Sequence, residues 1–323
     1  MYKNYGRFIS LVLLPCLLIA ESFAPVGTSV AQFLEIGIGA RSTGMGEAFT
    51  VTGSGAEAAF WNPAGIADVE TSSLYSSYTI WPGDISIGGI SAAQTLEGIG
   101  TVAISSVFLA TDDMEITTIA QPEGTGEFFA LSNYALGLTF SRYLTDKISV
   151  GITNKIVHEK YNDYGYSSWA LDMGTLYRSG WRGLKLGMSV LHFAPEVQFE
   201  GSFIDYSDAL SFSDSTEREF EKYSLPINFR FGMGMNILET SNQTLTLAMD
   251  MVHSNNQQEQ YNIGAEYVFN SMLYIRSGYK LAADEGGFSA GGGIRLSRLV
   301  IDYSYVNMGI FDGINRFSLN ILF

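Results

Sequence analysis

The chain has 323 residues, of which 46% are hydrophobic, 13% aromatic and 16% charged, too apolar for a disordered chain. Its 33 acidic against 18 basic residues give a formal net charge of −15, which excludes a surface built to neutralise nucleic-acid phosphates. The single cysteine, Cys16, lies in an apolar leader, so no disulfide, thiol redox pair or cysteine metal site is available beyond it.

Lys3 and Arg7 precede an apolar run over residues 8–20. A positive start, a short apolar core and a small-residue exit describe a secretory signal peptide, expected over 1–24 with Ser22-Phe23-Ala24 as its exit. Ser29-Val30-Ala31 is the alternative exit, which would extend the leader to 31. Beyond the leader there is no apolar run of about 18 residues, so a helical membrane span is not expected.

Residues 25–70 form a distinct N-terminal segment that does not alternate in polarity. Its glycines, Gly37, Gly39, Gly44 and Gly46, do not fit the spacing of a dinucleotide fingerprint, and no Gly-Lys-Ser/Thr follows them as in a phosphate loop. Such glycines serve tight turns and close backbone approach. Asn62-Pro63 favours a turn that starts a short helix.

From residue 71 to 323 the polarity alternates in short segments. Ile227, Phe229, Phe231, Met233, Met235 and Ile237 alternate with Asn228, Arg230, Gly232, Gly234 and Asn236, a strand with one greasy and one polar face. About fourteen strands are expected, near 72–81, 84–95, 100–111, 127–143, 148–160, 167–179, 184–198, 224–238, 244–255, 259–270, 273–282, 286–297, 299–308 and 315–323. Alternation alone also fits a soluble sandwich. The polar face, however, carries charges in mid-strand: Lys155, Asp172, Arg230, Asp250, Glu266, Arg276, Arg295, Asp302 and Arg316. No helical segment is available to cover the greasy faces. An all-β, closed antiparallel transmembrane barrel with lipid outside and a polar lumen inside explains both facts.

Connections after even-numbered strands are short, and those after odd-numbered strands are mostly longer, including 111–126, 161–167, 200–223 and 307–315. That is the pattern of short turns at one barrel end and long loops at the other. The 200–223 loop is acidic, with Asp205, Asp208, Asp214, Glu217, Glu219 and Glu221 against Arg218 and Lys222. Pro226 and Gly291-Gly292-Gly293 are candidate strand disruptions for a lateral opening. The lumen charges on consecutive strands, Asp250, Glu266, Arg276, Arg295 and Asp302, are expected to pair and brace the wall. The alternation places His158, His192 and His253 on the lipid-facing parity, which leaves no catalytic triad, metal cluster or cofactor site. The chain ends on Phe323, an aromatic at the end of an alternating strand.

The N-terminal run Phe33-Leu34-Glu35-Ile36-Gly37-Ile38-Gly39-Ala40-Arg41, then Gly44-Met45-Gly46-Glu47-Ala48-Phe49 and Trp61-Asn62-Pro63-Ala64-Gly65, resembles the start of the PorV/PorQ family within the FadL-like outer-membrane transporters. The resemblance covers roughly 40 residues and implies a plug motif carried by Gly37, Gly39, Ala40, Arg41, Gly44, Met45, Gly46, Trp61, Asn62, Pro63 and Ala64, folded into the lumen of a fourteen-stranded outer-membrane barrel. It also implies a role accessory to type IX protein secretion, with secretion components and cargo C-terminal domains as partners. The alternative is a FadL-like channel for a hydrophobic small-molecule ligand. Neither reading makes the chain an enzyme or gives it a cofactor.

Overall fold

The computed structural model describes residues 27–205, 216–282, 287–309 and 313–323. The leader expected over 1–24, with Cys16, lies outside the described residues, as do Asp208 and Asp214 of the acidic loop.

Fourteen antiparallel strands close into one barrel. In chain order they are β1 (Ser72–Trp81), β2 (Ile85–Leu96), β3 (Gly100–Thr111), β4 (Ser132–Tyr143), β5 (Ile148–Tyr161), β6 (Tyr164–Arg178), β7 (Lys185–Phe193), β8 (Asn228–Glu239), β9 (Gln243–Ser254), β10 (Gln260–Phe269), β11 (Leu273–Leu281), β12 (Phe288–Leu296), β13 (Leu299–Asn307) and β14 (Gly313–Leu322). Each pairs with its neighbour in sequence, and β1 closes on β14 from Ser73↔Leu322 to Thr79↔Arg316.

The two faces are an inverted soluble protein. Along β4, Ala135, Thr139 and Ser141 are buried, while Leu136, Leu138 and Phe140 are exposed. The same holds in β1, where Ser73, Tyr75, Ser77 and Thr79 point in and Leu74, Tyr78 and Ile80 point out. An outward apolar face over a closed wall is what a hydrocarbon surround requires, because the backbone is satisfied within the wall and the greasy side chains need no protein partner.

The wall departs from the sequence expectation at its long-loop end. Residues 127–131 are not part of β4; Phe128–Phe129 pairs with Met114–Glu115 in a separate hairpin. The expected strand over 184–198 stops at Phe193, and Val197–Gln198 pairs instead with Lys222–Tyr223. The expected 161–167 loop is a tight turn, since β6 begins at Tyr164 with Asn162 in a left-handed conformation (φ 50°). Pro226 lies before β8 rather than within it, as suits a residue without an N–H to donate. Gly291–Gly293 stay in unbroken register with both neighbours. The register shifts fall elsewhere, between Leu171 and Met173 against β7 and between Asn236 and Leu238 against β9.

Leu138, 62% exposed at the middle of β4, gives the lipid-facing assignment a direct test. Leu138→Arg is expected to destabilise the barrel in lipid vesicles by about 2–4 kcal/mol in a denaturant titration, whereas a water-facing site would change by about 0.5 kcal/mol or less.

Candidate functional site

The N-terminal segment contains a 3-10 turn at Gln32–Glu35, a one-turn helix α1 at Ala40–Gly44, and 3-10 turns at Gly55–Phe60 and Pro63–Asp68. Its hydrogen bonds run right round the wall. Ala56 N–H donates to Ser73 of β1, and Ser91 of β2 donates to the Ala56 carbonyl. Ser149 of β5 and Ser189 of β7 donate to the carbonyls of Ala64 and Trp61. Phe49 and Thr50 N–H both donate to Asp250 of β9 at 2.9 Å, and Gly46 N–H donates to Ser289 of β12. All these wall residues are buried and inward-facing, so the segment lies inside the barrel.

The motif residues act at the closest approaches. Asn62 caps the turn that Pro63 begins, accepting from Ala64 N–H at 3.1 Å, and its amide donates to the carbonyls of Thr50 and Thr175. Trp61 donates its indole N–H to the Ile38 carbonyl, packs edge-on against Phe49, and carries the Arg230 guanidinium over its ring at 4.9 Å. Gly39 has φ 106°, and a Cβ there would lie 2.3 Å from the Tyr75 hydroxyl. Met45 and Ala40 are fully buried, and Gly37 leaves no room for a side chain beside Glu47.

The wall answers with glycines of its own, a signal that sequence reading missed. A Cβ on Gly278 of β11 would sit 2.0 Å from Gly46 N, and one on Gly174 of β6 would sit 2.0 Å from Asn62 Oδ1. Inward-parity glycines on strands otherwise rich in polar side chains were the available clue. Gly278→Val is expected to unseat the segment without breaking the wall, read as raised single-channel conductance in planar bilayers with the folded barrel band retained on gels. Unchanged conductance would show that the segment does not obstruct the lumen.

The predicted lumen charges are all inward and all but Arg295 are buried. Glu266, Arg276 and Asp302 form the expected brace, with Arg276 at 2.7 Å from Glu266 and 2.6 Å from Asp302. Arg41 extends it into the segment, donating through two nitrogens to the two Glu266 oxygens at 2.9 Å. Arg295 does not join; its Nε has no hydrogen-bond partner among the described residues. Asp250 pairs with Arg230 at 3.4 Å rather than along the ladder, and is committed to the segment's N–H groups. Lys155 and Asp172 pair at 2.6 Å. Arg316 stacks over Trp81 at 5.5 Å, and neither its Nε nor its Nη1 is hydrogen-bonded among the described residues.

His192 is a correction. It faces inward, buried, at 3.3 Å from Lys155 Nζ, not outward towards lipid. The register shift opposite Leu171–Met173 places His192 in a left-handed conformation (φ 63°), with its N–H donating to Asp172. One extra residue in a strand inverts the side-chain parity beyond it. His253 is exposed, and His158 bonds Ser167 on the outer wall.

Between the segment and the long-loop end lies a cavity of about 510 Å³. Phe33, Trp81, Ile85, Leu109, Val252 and Val306 give it apolar walls, and Glu47, Arg230, Lys280 and Arg316 line it as well. Glu47 is held by Lys280 at 2.7 Å. A smaller cavity of about 50 Å³ lies against residues 34–38, beside Phe60, Trp61 and His192.

Glu57 sits beneath Gly39, accepting from the Tyr75 hydroxyl at 3.2 Å. Burial raises its pKa to about 8; Arg41 pulls it down, Asp302 pushes it up, and Arg276 and the Tyr75 hydrogen bond pull it down. A carboxyl whose folded pKa is raised favours the seated state while neutral, and loses that advantage as pH climbs from its ordinary, unseated value of 4.5 through about 8. The segment is therefore expected to exchange its amide hydrogens more slowly at acidic than at alkaline pH after correction for intrinsic rates. Glu57→Gln should flatten that dependence.

No known family profile and no curated protein sequence matches the chain. Solved structures match it in fold. The monoaromatic hydrocarbon channel CymD superposes with a TM-score of 0.59 at 14% identity, over 89% of this chain and 98% of that one. A FadL homologue of Pseudomonas aeruginosa gives 0.55 at 12% identity, over 88% and 97% of the two chains. The toluene transporter TodX of Pseudomonas putida gives 0.56 at 10% identity, over 88% and 96%. At these identities the likeness is one of fold: a closed fourteen-stranded barrel of FadL-like architecture.

Proposed function

We propose that this chain is a non-enzymatic outer-membrane channel for hydrophobic small molecules, exported by the leader over 1–24 and closed at rest by residues 25–70 as a plug. The observation that carries this reading is the cavity of about 510 Å³, floored by the segment, where apolar side chains from Phe33 to Val306 share the walls with a few polar and charged groups. Its size and lining suit a small organic ligand. The solved channels of like fold carry monoaromatic hydrocarbons and toluene by their descriptions, which supports an apolar ligand here. Expression in a host lacking its own hydrocarbon channel is expected to restore uptake of labelled aromatic or aliphatic compounds, and Val306→Arg, which puts a charge into the apolar wall, to abolish it. No uptake of any apolar compound by the folded barrel sinks this reading.

The motif of residues 33–65 favours a second reading, the type IX accessory role that the PorV/PorQ resemblance implies. Under it, the outer rim holds secreted cargo and the barrel co-purifies with cargo C-terminal domains. Deletion without any secretion defect counts against it.

A further inference from the structure

The long-loop mouth holds a second cavity of about 380 Å³, which shares Gln32, Glu159 and Tyr161 with the first and whose floor is the start of the inner segment, Gly27 and residues 29–32. Its walls are aromatic: Tyr161, Tyr164, Phe199, Phe220 and Tyr223. The rings brace one another, with centroids 5.9 Å apart for Tyr161 and Phe199, 5.0 Å for Tyr164 and Phe220, and 5.8 Å for Phe199 and Phe220. The pairing of Val197–Gln198 with Lys222–Tyr223 carries Phe199 and Phe220 to this place, and Gln198 Nε2 donates to the Phe220 carbonyl at 2.6 Å. Tyr161 and Tyr164 come from the tight β5–β6 turn.

Glu159 also lines this cavity, and it is 1% exposed. Its Oε2 accepts from Ala31 N–H at 2.8 Å and from the Tyr166 hydroxyl at 2.7 Å. Its Oε1 accepts from the Tyr161 hydroxyl at 2.5 Å and from Asn133 Nδ2 at 3.3 Å. Among the described residues no lysine, arginine or histidine forms an ion pair with it. A buried carboxylate ordinarily has a counter-charge, and the described residues offer this one none. Its acceptor positions, about four for a carboxylate, are nevertheless all taken. A cation that supplies the missing counter-charge would be one that needs no hydrogen bond from it. Aromatic rings supply the complementary surface for such a cation. The exposed residues nearby in sequence, Glu217, Glu219 and Glu221 against Arg218 and Lys222, leave a small negative excess at the mouth.

We propose that the aromatic box at the outer mouth, with Glu159 beneath it, binds a quaternary ammonium group. The carbon shell of that group lies against the rings, and its charge offsets the carboxylate. A primary ammonium fits less well, because its N–H donors would find rings and an already saturated carboxylate. This mouth site is framed by five rings, unlike the cavity below it, where apolar side chains mix with Glu47, Arg230, Lys280 and Arg316.

Calorimetry on the full barrel in a non-ionic detergent tests the site with three probes: choline, its neutral analogue with carbon in place of the quaternary nitrogen, and ethanolamine. Choline is expected to bind about tenfold or more tightly than either of the others. Phe220→Leu and Tyr164→Leu, each checked for the folded barrel band, should reduce choline to the level of the neutral analogue, and Glu159→Gln should do the same if it folds. Equal affinity for choline and its neutral analogue, tighter binding of ethanolamine, no choline binding, or full choline affinity in the two aromatic variants each overturns the proposal. The readout is binding without transport, so its failure leaves the channel reading standing, and failed uptake leaves this site standing.

Discussion

In hydrocarbon every backbone N–H and C=O must find its partner within the protein, and the rest of this structure follows from that requirement. The wall meets it by closing β1 on β14, which leaves no edge. Closure turns one face of each strand to lipid and the other to the lumen, so the greasy residues go outside and Ser, Thr, Asp, Glu and Arg go inside. A polar interior is in turn what allows an irregular segment to be housed there. The backbone of residues 29–69 has little regular structure to satisfy it, and the inward hydroxyls and carboxylates of the wall do so instead, as Asp250 does for Phe49 and Thr50.

Charge inside the barrel follows the same logic. Arg41, Glu266, Arg276 and Asp302 alternate in sign along one hydrogen-bonded chain from the segment to the wall. Such a chain is strongly held only while complete, since removing one member strands a buried charge at a cost of about 3–5 kcal/mol. Arg41 is thus a tether whose loss would be felt by three wall residues at once. Arg316 is the counter-example: a buried guanidinium with a ring beneath it and two nitrogens unbonded among the described residues, beside the 510 Å³ cavity.

Period-two alternation made the strands legible in the sequence, most fully in β4, with Asn133, Thr139 and Ser141 inward against Leu136, Leu138 and Phe140, and in the run from Asn228 up to the register shift at Asn236. The mid-strand charges were legible as lumenal for the same reason. Parity failed at His192, because a bulge is a local backbone event with no side-chain signature of its own. Strand ends failed at the mouth, where Val197–Gln198 and Phe128–Phe129 keep an extended form but pair outside the wall. The inner segment could be read as different from the wall, but its contacts could not. They depend on which strand glycines face it across more than 100 residues of sequence, as Asn62 and Gly174 do.

Val69 leads directly into β1, the strand whose far side is sealed by the last strand of the chain. The inner segment therefore hangs from the seam. Until β14 is in place, β1 has one paired edge and one open edge, and the lumen is a trough rather than a tube. A bulky, hydrogen-bonded filling can be laid into a trough from the side, whereas entering a finished tube would mean passing along its axis through a ring of interlocking glycines and carboxylates. The order of elements along the chain, filling first and sealing strand last, makes the contents of this barrel part of how it is built.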